Sequence, residues 1–234
     1  MKILKLFSFY FLLSFSVLWY CTIGFILLLF KPKKDVIFWV AHHWGHFNLK
    51  HSQITLELHG QKNLARTPAI FVINHQSMLD IFIISALLPP KTLPIAKKSF
   101  GTIPILGWFL RATGTILIDR YNPSKALEGM KQAKGIIEQQ GLSIVMAPEG
   151  TRTKTGKLQP LKKGAFYLAI QTGLPIIPIT IVGAYDLFPI SSWIPKRGAV
   201  SIYIDPPLPT KHWSIETIPA HMEELRTIFL NHLR

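Results

Sequence analysis

The sequence predicts an α/β layered domain, with a central, mostly buried sheet flanked by helices, preceded by a hydrophobic N-terminal membrane helix or two-helix hairpin. Three observations lead there. Short β-branched runs alternate with stretches of helical pattern, the order expected of a layered α/β chain. The runs are apolar almost throughout instead of alternating with polar residues, which marks strands covered on both faces. Finally, Phe7 to Phe30 contains no charged residue.

As a helix, that first run extends about 36 Å, enough to cross a hydrocarbon core of about 30 Å. A cleaved leader fits less well, because the apolar stretch is too long and Trp19-Tyr20-Cys21 offers no small-residue cleavage site. Lys2 and Lys5 precede the run and Lys31, Lys33 and Lys34 follow it, a weak lean toward a cytoplasmic position for everything downstream. Val36 to His51 then mixes Ile37, Phe38, Trp39, Trp44 and Phe47 with His42, His43, His46 and His51, as an interfacial helix with aromatics at headgroup level would. A full span and a hairpin dipping into one leaflet both remain open. Residues 1–58 are assigned to this anchoring segment and 59–234 to the folded domain.

Strands are expected at ITLELHG, AIFVINH, LPIAK, TILIDR, LSIVMAPEG, PIIPITIVG and AVSIYID. Helices are expected near Met78 to Leu88, Thr102 to Ala112, Pro123 to Gln139, Leu161 to Thr172 and Ile215 to Leu233. Strand order and direction leave no trace in such a pattern. No internal repeat or low-complexity linker interrupts it.

Composition narrows the chemistry. With 234 residues, 49% of them hydrophobic and 16% charged, the chain fills a core and lies far from the signature of disorder. Its single Cys excludes an internal disulfide framework and speaks against structural zinc. His42 and His46 stand one helical turn apart, but no Asp or Glu accompanies them, so a polar helix face is expected there and no metal site. A net charge of +14 beside a mean hydropathy of +0.29 suits a membrane-surface protein. Charge alone does not separate lipid phosphates from nucleic acid, yet no helix-turn-helix, RNP or zinc-finger spacing supports the latter.

Polar clusters follow the expected strands. AIFVI runs into Asn74-His75-Gln76-Ser77-Met78-Leu79-Asp80, which puts a His at a strand end and an Asp where a helix begins. A carboxylate on one ring nitrogen fixes the tautomer and leaves the other nitrogen to take a proton from a hydroxyl, so His75 is the candidate base and Asp80 its orienter. In a chain with 9 His such a spacing also arises by chance, and the pair needs company. It has company in Pro148-Glu149-Gly150-Thr151-Arg152, where a glycine beside a hydroxyl and a planar guanidinium suits an anion. Ala96-Lys97-Lys98-Ser99 and Ile118-Asp119-Arg120 close two further strands.

Taken in order, NHQSMLD, AKKSFGTIPILGW, GTILIDR, APEGTR, LKKGAFYLAIQTG and LPIIPI resemble the blocks of the glycerolipid acyltransferases of the 1-acyl-sn-glycerol-3-phosphate acyltransferase type, over roughly residues 60 to 190. The resemblance implies transfer of an acyl group from acyl-CoA or acyl-carrier protein to the sn-2 hydroxyl of lysophosphatidic acid at the cytoplasmic membrane face, with no cofactor beyond the donor. It makes His75 the base of the HX4D motif and Asp80 its orienter. It also implies that Lys97, Arg120, Gly150, Thr151 and Arg152 hold the acceptor phosphate, with Glu149 placing their loop. Attack would be direct, without an acyl-enzyme. The chain has no GxSxG elbow, Cys21 lies in the apolar run, and Ser77 is better placed as a cap than as a nucleophile. For Trp193, Trp213 and Phe188, burial is the simpler expectation and docking on a leaflet the alternative.

Overall fold

The computed structural model describes residues 2–119 and 123–233. Helices α1 (Lys2–Leu27) and α2 (Lys33–His51) form an antiparallel hairpin turned at Pro32. Ser16 ties them, accepting from Trp44 Nε1 at 3.1 Å and Asn48 Nδ2 at 3.4 Å while donating to the Leu13 carbonyl. Among the described residues, α1 is the one helix long and apolar enough to cross a membrane, with a mean hydropathy of 1.8 over Ile3–Leu27.

Seven strands build one sheet in the order β1 (Ile54–His59), β7 (Gly198–Ile204), β6 (Ile176–Val182), β2 (Ile70–Ile73), β5 (Ser143–Met146), β3 (Thr92–Lys97) and β4 (Ile116–Ile118). From β6 to β4 all neighbours are parallel, whereas β7 is antiparallel to β6 and β1 follows β7. Parallel neighbours need crossovers, which are supplied by α3 (Leu79–Leu87), α4 (Leu106–Thr113), α5 (Pro123–Gln140) and α6 (Gly164–Thr172). A short α7 (Ala184–Leu187) and a C-terminal α8 (Ile218–His232) complete the chain.

The pleat explains why the strands are apolar without alternation. Phe71, Ile73, Val145 and Ile177 meet Leu79, Phe82 and Ile83 of α3 on one face. Ile70, Val72, Ile144 and Ile176 meet α5, α6 and α8 on the other, through Ala133, Phe166, Leu225 and Phe229. Pro178 sits inside β6 without breaking its ladder with β7, which starts one residue later at Ile179.

Several expectations need amending. The division at residues 58 and 59 falls inside β1, whose pairing with β7 begins at Ile54. The second helix is more than an interfacial one: α2 packs along α3, burying Val36, Ile37, Val40 and Leu49, with Trp44 edge-on to Phe82 at 5.1 Å. As expected, Phe188 is a core residue, 4% exposed and edge-on to Phe9 of α1. Trp213 stacks between Phe166 and His221. Only Trp193 of those three aromatics stands free, at 72% exposure. The helix expected from Thr102 starts at Leu106, because Lys98–Thr102 forms a 3-10 turn and Ile105 has φ +65°.

Candidate active site

Parallel strands put their carboxyl ends along one edge of the sheet. The chain leaves β2 across the face of α3 and leaves β5 across the opposite face of α6, so the two helices part between β2 and β5. Such a switch opens a crevice at the strand ends. His75 follows β2 there, Glu149 follows β5, and Lys97 ends β3 on the same edge, exposed. Arg120, next after β4, lies outside the described residues.

His75 Nδ1 lies 2.8 Å from Asp80 Oδ2. That oxygen also accepts the backbone N–H groups of Gln76 at 2.8 Å and Ser77 at 2.9 Å. An oxygen that already takes two N–H donors is an acceptor, so Nδ1 is assigned the hydrogen that points at it. Asp80 stands in the first turn of α3, where the free N–H groups favour negative charge, and is buried to 1% exposure. Its Oδ1 is buried without a hydrogen-bond partner among the described residues. The ring of His75 keeps 24% of its surface exposed, with Nε2 left for a ligand. Ser77 is structural: its Oγ donates to the Phe188 carbonyl at 2.6 Å and accepts the Leu79 N–H at the start of α3.

Glu149 binds the two halves of the crevice together. Its Oε1 accepts the His75 N–H at 2.6 Å, and its Oε2 accepts the Gln159 N–H at 2.8 Å. Burial pushes this carboxyl above the ordinary glutamate range, opposed by those two bonds and by the His75 ring. The Thr153 N–H returns to the His75 carbonyl at 3.0 Å, closing a second link between the segments. Gly150, Thr151 and Arg152 are thereby held beside His75. The Arg152 guanidinium touches Met78 Sδ at 3.7 Å, and no carboxylate among the described residues pairs with it.

Residues 55–182 match the family model described as Acyltransferase. The chain belongs to the acyltransferase family. It is 36% identical over 169 residues to a 1-acyl-sn-glycerol-3-phosphate acyltransferase from Cocos nucifera, covering 72% of this chain and 55% of that one. The protein of the same name from Saccharomyces cerevisiae is 31% identical over 218 residues, covering 92% and 72%. The chain spans 55% of the coconut protein and 64% of its Limnanthes alba counterpart, less than two thirds of either. In fold it is similar to the crystal structure of a 1-acyl-sn-glycerophosphate acyltransferase, PlsC, from Thermotoga maritima, with a TM-score of 0.82 at 24% identity, covering 99% of this chain and 96% of that one.

Two residues of this candidate site were not singled out from sequence. Gln159 braces the loop twice, by its N–H on Glu149 and by Nε2 on the Thr151 carbonyl at 2.9 Å. Lys162 lays its side chain over Gly150, so that a Cβ there would stand 2.7 Å from its Nζ. The signal was the basic pair opening LKKGAFYLAIQTG, but nothing local tells that the chain doubles back over Gly150. Since Gly150 also has φ +73°, Gly150→Ala is expected to destabilise the fold by about 1–2 kcal/mol. Differential scanning fluorimetry should show a melting point lower by about 2–8 °C, and an unchanged one would mean that the loop relaxes freely.

Proposed function

We propose that this acyltransferase moves a fatty acyl group from acyl-CoA or acyl-carrier protein to the sn-2 hydroxyl of lysophosphatidic acid, forming phosphatidic acid for phospholipid synthesis. The observation that carries the reading is the His75–Asp80 pair, tied through Glu149 to a loop whose guanidinium pairs with no carboxylate among the described residues. Nε2 of His75 takes the proton from the acceptor hydroxyl as its oxygen attacks the thioester carbonyl. The C–O bond forms, the C–S bond breaks, and the departing thiolate takes the proton back from the imidazolium. Lys97, Arg120, Thr151 and Arg152 hold the acceptor phosphate, with Gly150 letting the backbone turn under it and Glu149 fixing the loop. The reaction needs no cofactor beyond the donor and no metal.

An apolar cavity of about 220 Å³ supports a lipid substrate. It lies between α1, α2, α3 and α4 and is lined by residues such as Tyr20, Ile37, Ile84 and Leu106. The α1–α2 hairpin serves as the membrane anchor and the chain from β1 onward as the catalytic domain, with the site on the cytoplasmic face, as the lysines around α1 favour. The bilayer and its lysolipid are the partners, and nucleic acid is not.

The test is phosphatidic acid formation in detergent or vesicles, with acyl-CoA and acyl-carrier-protein donors in parallel and lysophosphatidylcholine as the competing acceptor. Turnover of lysophosphatidylcholine alone would overturn the acceptor and keep the class. Turnover with neither donor would overturn the class. Arg152→Ala is expected to raise KM for lysophosphatidic acid about tenfold or more while leaving KM for the donor unchanged. A change confined to the donor would move the anion site to the wrong substrate.

A further inference from the structure

The segment joining β3 to β4 has a tightly held inner side and an apolar outer one. Inside, Gly107 presses on the Gly101 carbonyl so closely that no Cβ fits, and Arg111 Nη1 donates to the same carbonyl. Phe109, buried, packs on Gly24 and edge-on to Phe25 of α1, with ring centroids 5.7 Å apart. The segment is therefore fixed against the last turns of the apolar helix. Outside, Phe100, Ile103 and Trp108 are exposed, Trp108 by 57%. Ile26, Leu29 and Phe30 at the end of α1 are exposed as well. Two elements in contact thus present one apolar surface.

Its rim is basic. Lys31, Lys33 and Lys34 follow α1, Lys97 and Lys98 precede Phe100, and residues 97–115 contain no Asp or Glu. Apolar side chains that include a Trp, ringed by cations and continuous with a helix apolar enough to cross a bilayer, match the composition of a leaflet boundary. A protein partner would have to cover α1 too, whose side chains are exposed along most of its length.

We propose that Phe100, Ile103 and Trp108 form a second membrane contact, inserted at headgroup depth into an anionic leaflet beside α1, with Lys98 on the lipid phosphates. This deepens the lipid-acting reading above and rests on it. The consequence is orientation. Lys98 directly follows Lys97 at the carboxyl edge of the sheet, so seating this segment brings the edge that carries His75 to the leaflet. A lysolipid then reaches the crevice from the bilayer without crossing water, and the domain cannot swing freely about α1.

The test uses the full chain in a Cys21→Ser background, with single cysteines at Ile103→Cys, Trp108→Cys and, on the opposite side of the sheet, Glu223→Cys of α8. Each carries an NBD fluorophore and is reconstituted into vesicles of phosphatidylcholine with phosphatidylglycerol. Lipids bearing a nitroxide high on the acyl chain should quench the labels at 103 and 108 at least threefold more than the label at 223, and aqueous iodide should show the reverse order. Iodide reaching all three labels equally would overturn the contact. Shielding of 103 and 108 from both quenchers would overturn it in favour of a second protein copy. Replacing phosphatidylglycerol by phosphatidylcholine should at least halve the lipid quenching, and equal quenching would overturn the anionic preference. Ile103 and Trp108 are separate variants, so misfolding of one leaves the other to decide. None of these readouts depends on turnover, so a failed acyl-transfer assay and a failed membrane contact are told apart.

Discussion

His75→Ala is expected to reduce phosphatidic acid formation by about 10²–10⁴-fold, to the edge of detection, in a protein that melts within a few degrees of the parent. The expectation is a clean one because His75 contributes to the fold through its backbone. Its N–H on Glu149 and its carbonyl on Thr153 both survive the substitution, so the loop bearing Gly150, Thr151 and Arg152 stays where it is. What the variant loses is the ring, and with it the one group among the described residues on the Asp80 carboxylate able to take a proton from a hydroxyl and return it to a thiolate. The Asp80 oxygen keeps two backbone donors, from Gln76 and Ser77, so no buried charge is left without a partner. Comparing initial rates of radiolabelled phosphatidic acid formation at equal folded protein checks it. Retained turnover would mean that another group deprotonates the acceptor, and the base would have to be sought elsewhere on the sheet edge.

How far the sequence carries depends on whether a feature is local. The seven strands were readable because each is a short β-branched run closed by glycine, proline or a polar cluster, and the His75 to Asp80 spacing spans a single strand-to-helix turn. Strand order was not readable, since a strand buried on both faces looks the same beside any neighbour. β5 lies next to β2 only because two crossovers run out to β4 before the chain returns. The roles of Gln159 and Lys162 were hidden for a related reason. They reach Glu149 and Gly150 by a reversal of the chain over Thr153 to Leu161, which has no periodicity to read. The second helix, α2, shows the opposite error. Aromatic residues near an apolar helix suggest a membrane interface, but Trp44 is used as packing between the hairpin and the domain.

Asp80→Asn is expected to leave KM for lysophosphatidic acid nearly unchanged and to lower kcat by about 10²–10⁴-fold. Among the described residues the carboxylate makes its hydrogen bonds through Oδ2, to the His75 ring and to the N–H groups of Gln76 and Ser77. An asparagine placed there must turn its carbonyl oxygen toward those three donors, since its NH₂ cannot accept any of them. Nδ1 of His75 therefore keeps its hydrogen, and Nε2 keeps its lone pair. The NH₂ then takes the place of Oδ1, a buried position without a partner among the described residues, which destabilises the fold by about 1–3 kcal/mol. Missing altogether is the negative charge that stabilises the imidazolium once it has taken the proton, so the loss falls on the chemical step and not on binding. Rates measured across lysophosphatidic acid concentrations, beside a melting curve, separate the two effects. A fall in kcat with an intact fold assigns Asp80 to the proton transfer. A lower melting point with undiminished kcat would make it a buried cap of α3 and leave His75 without an orienting partner.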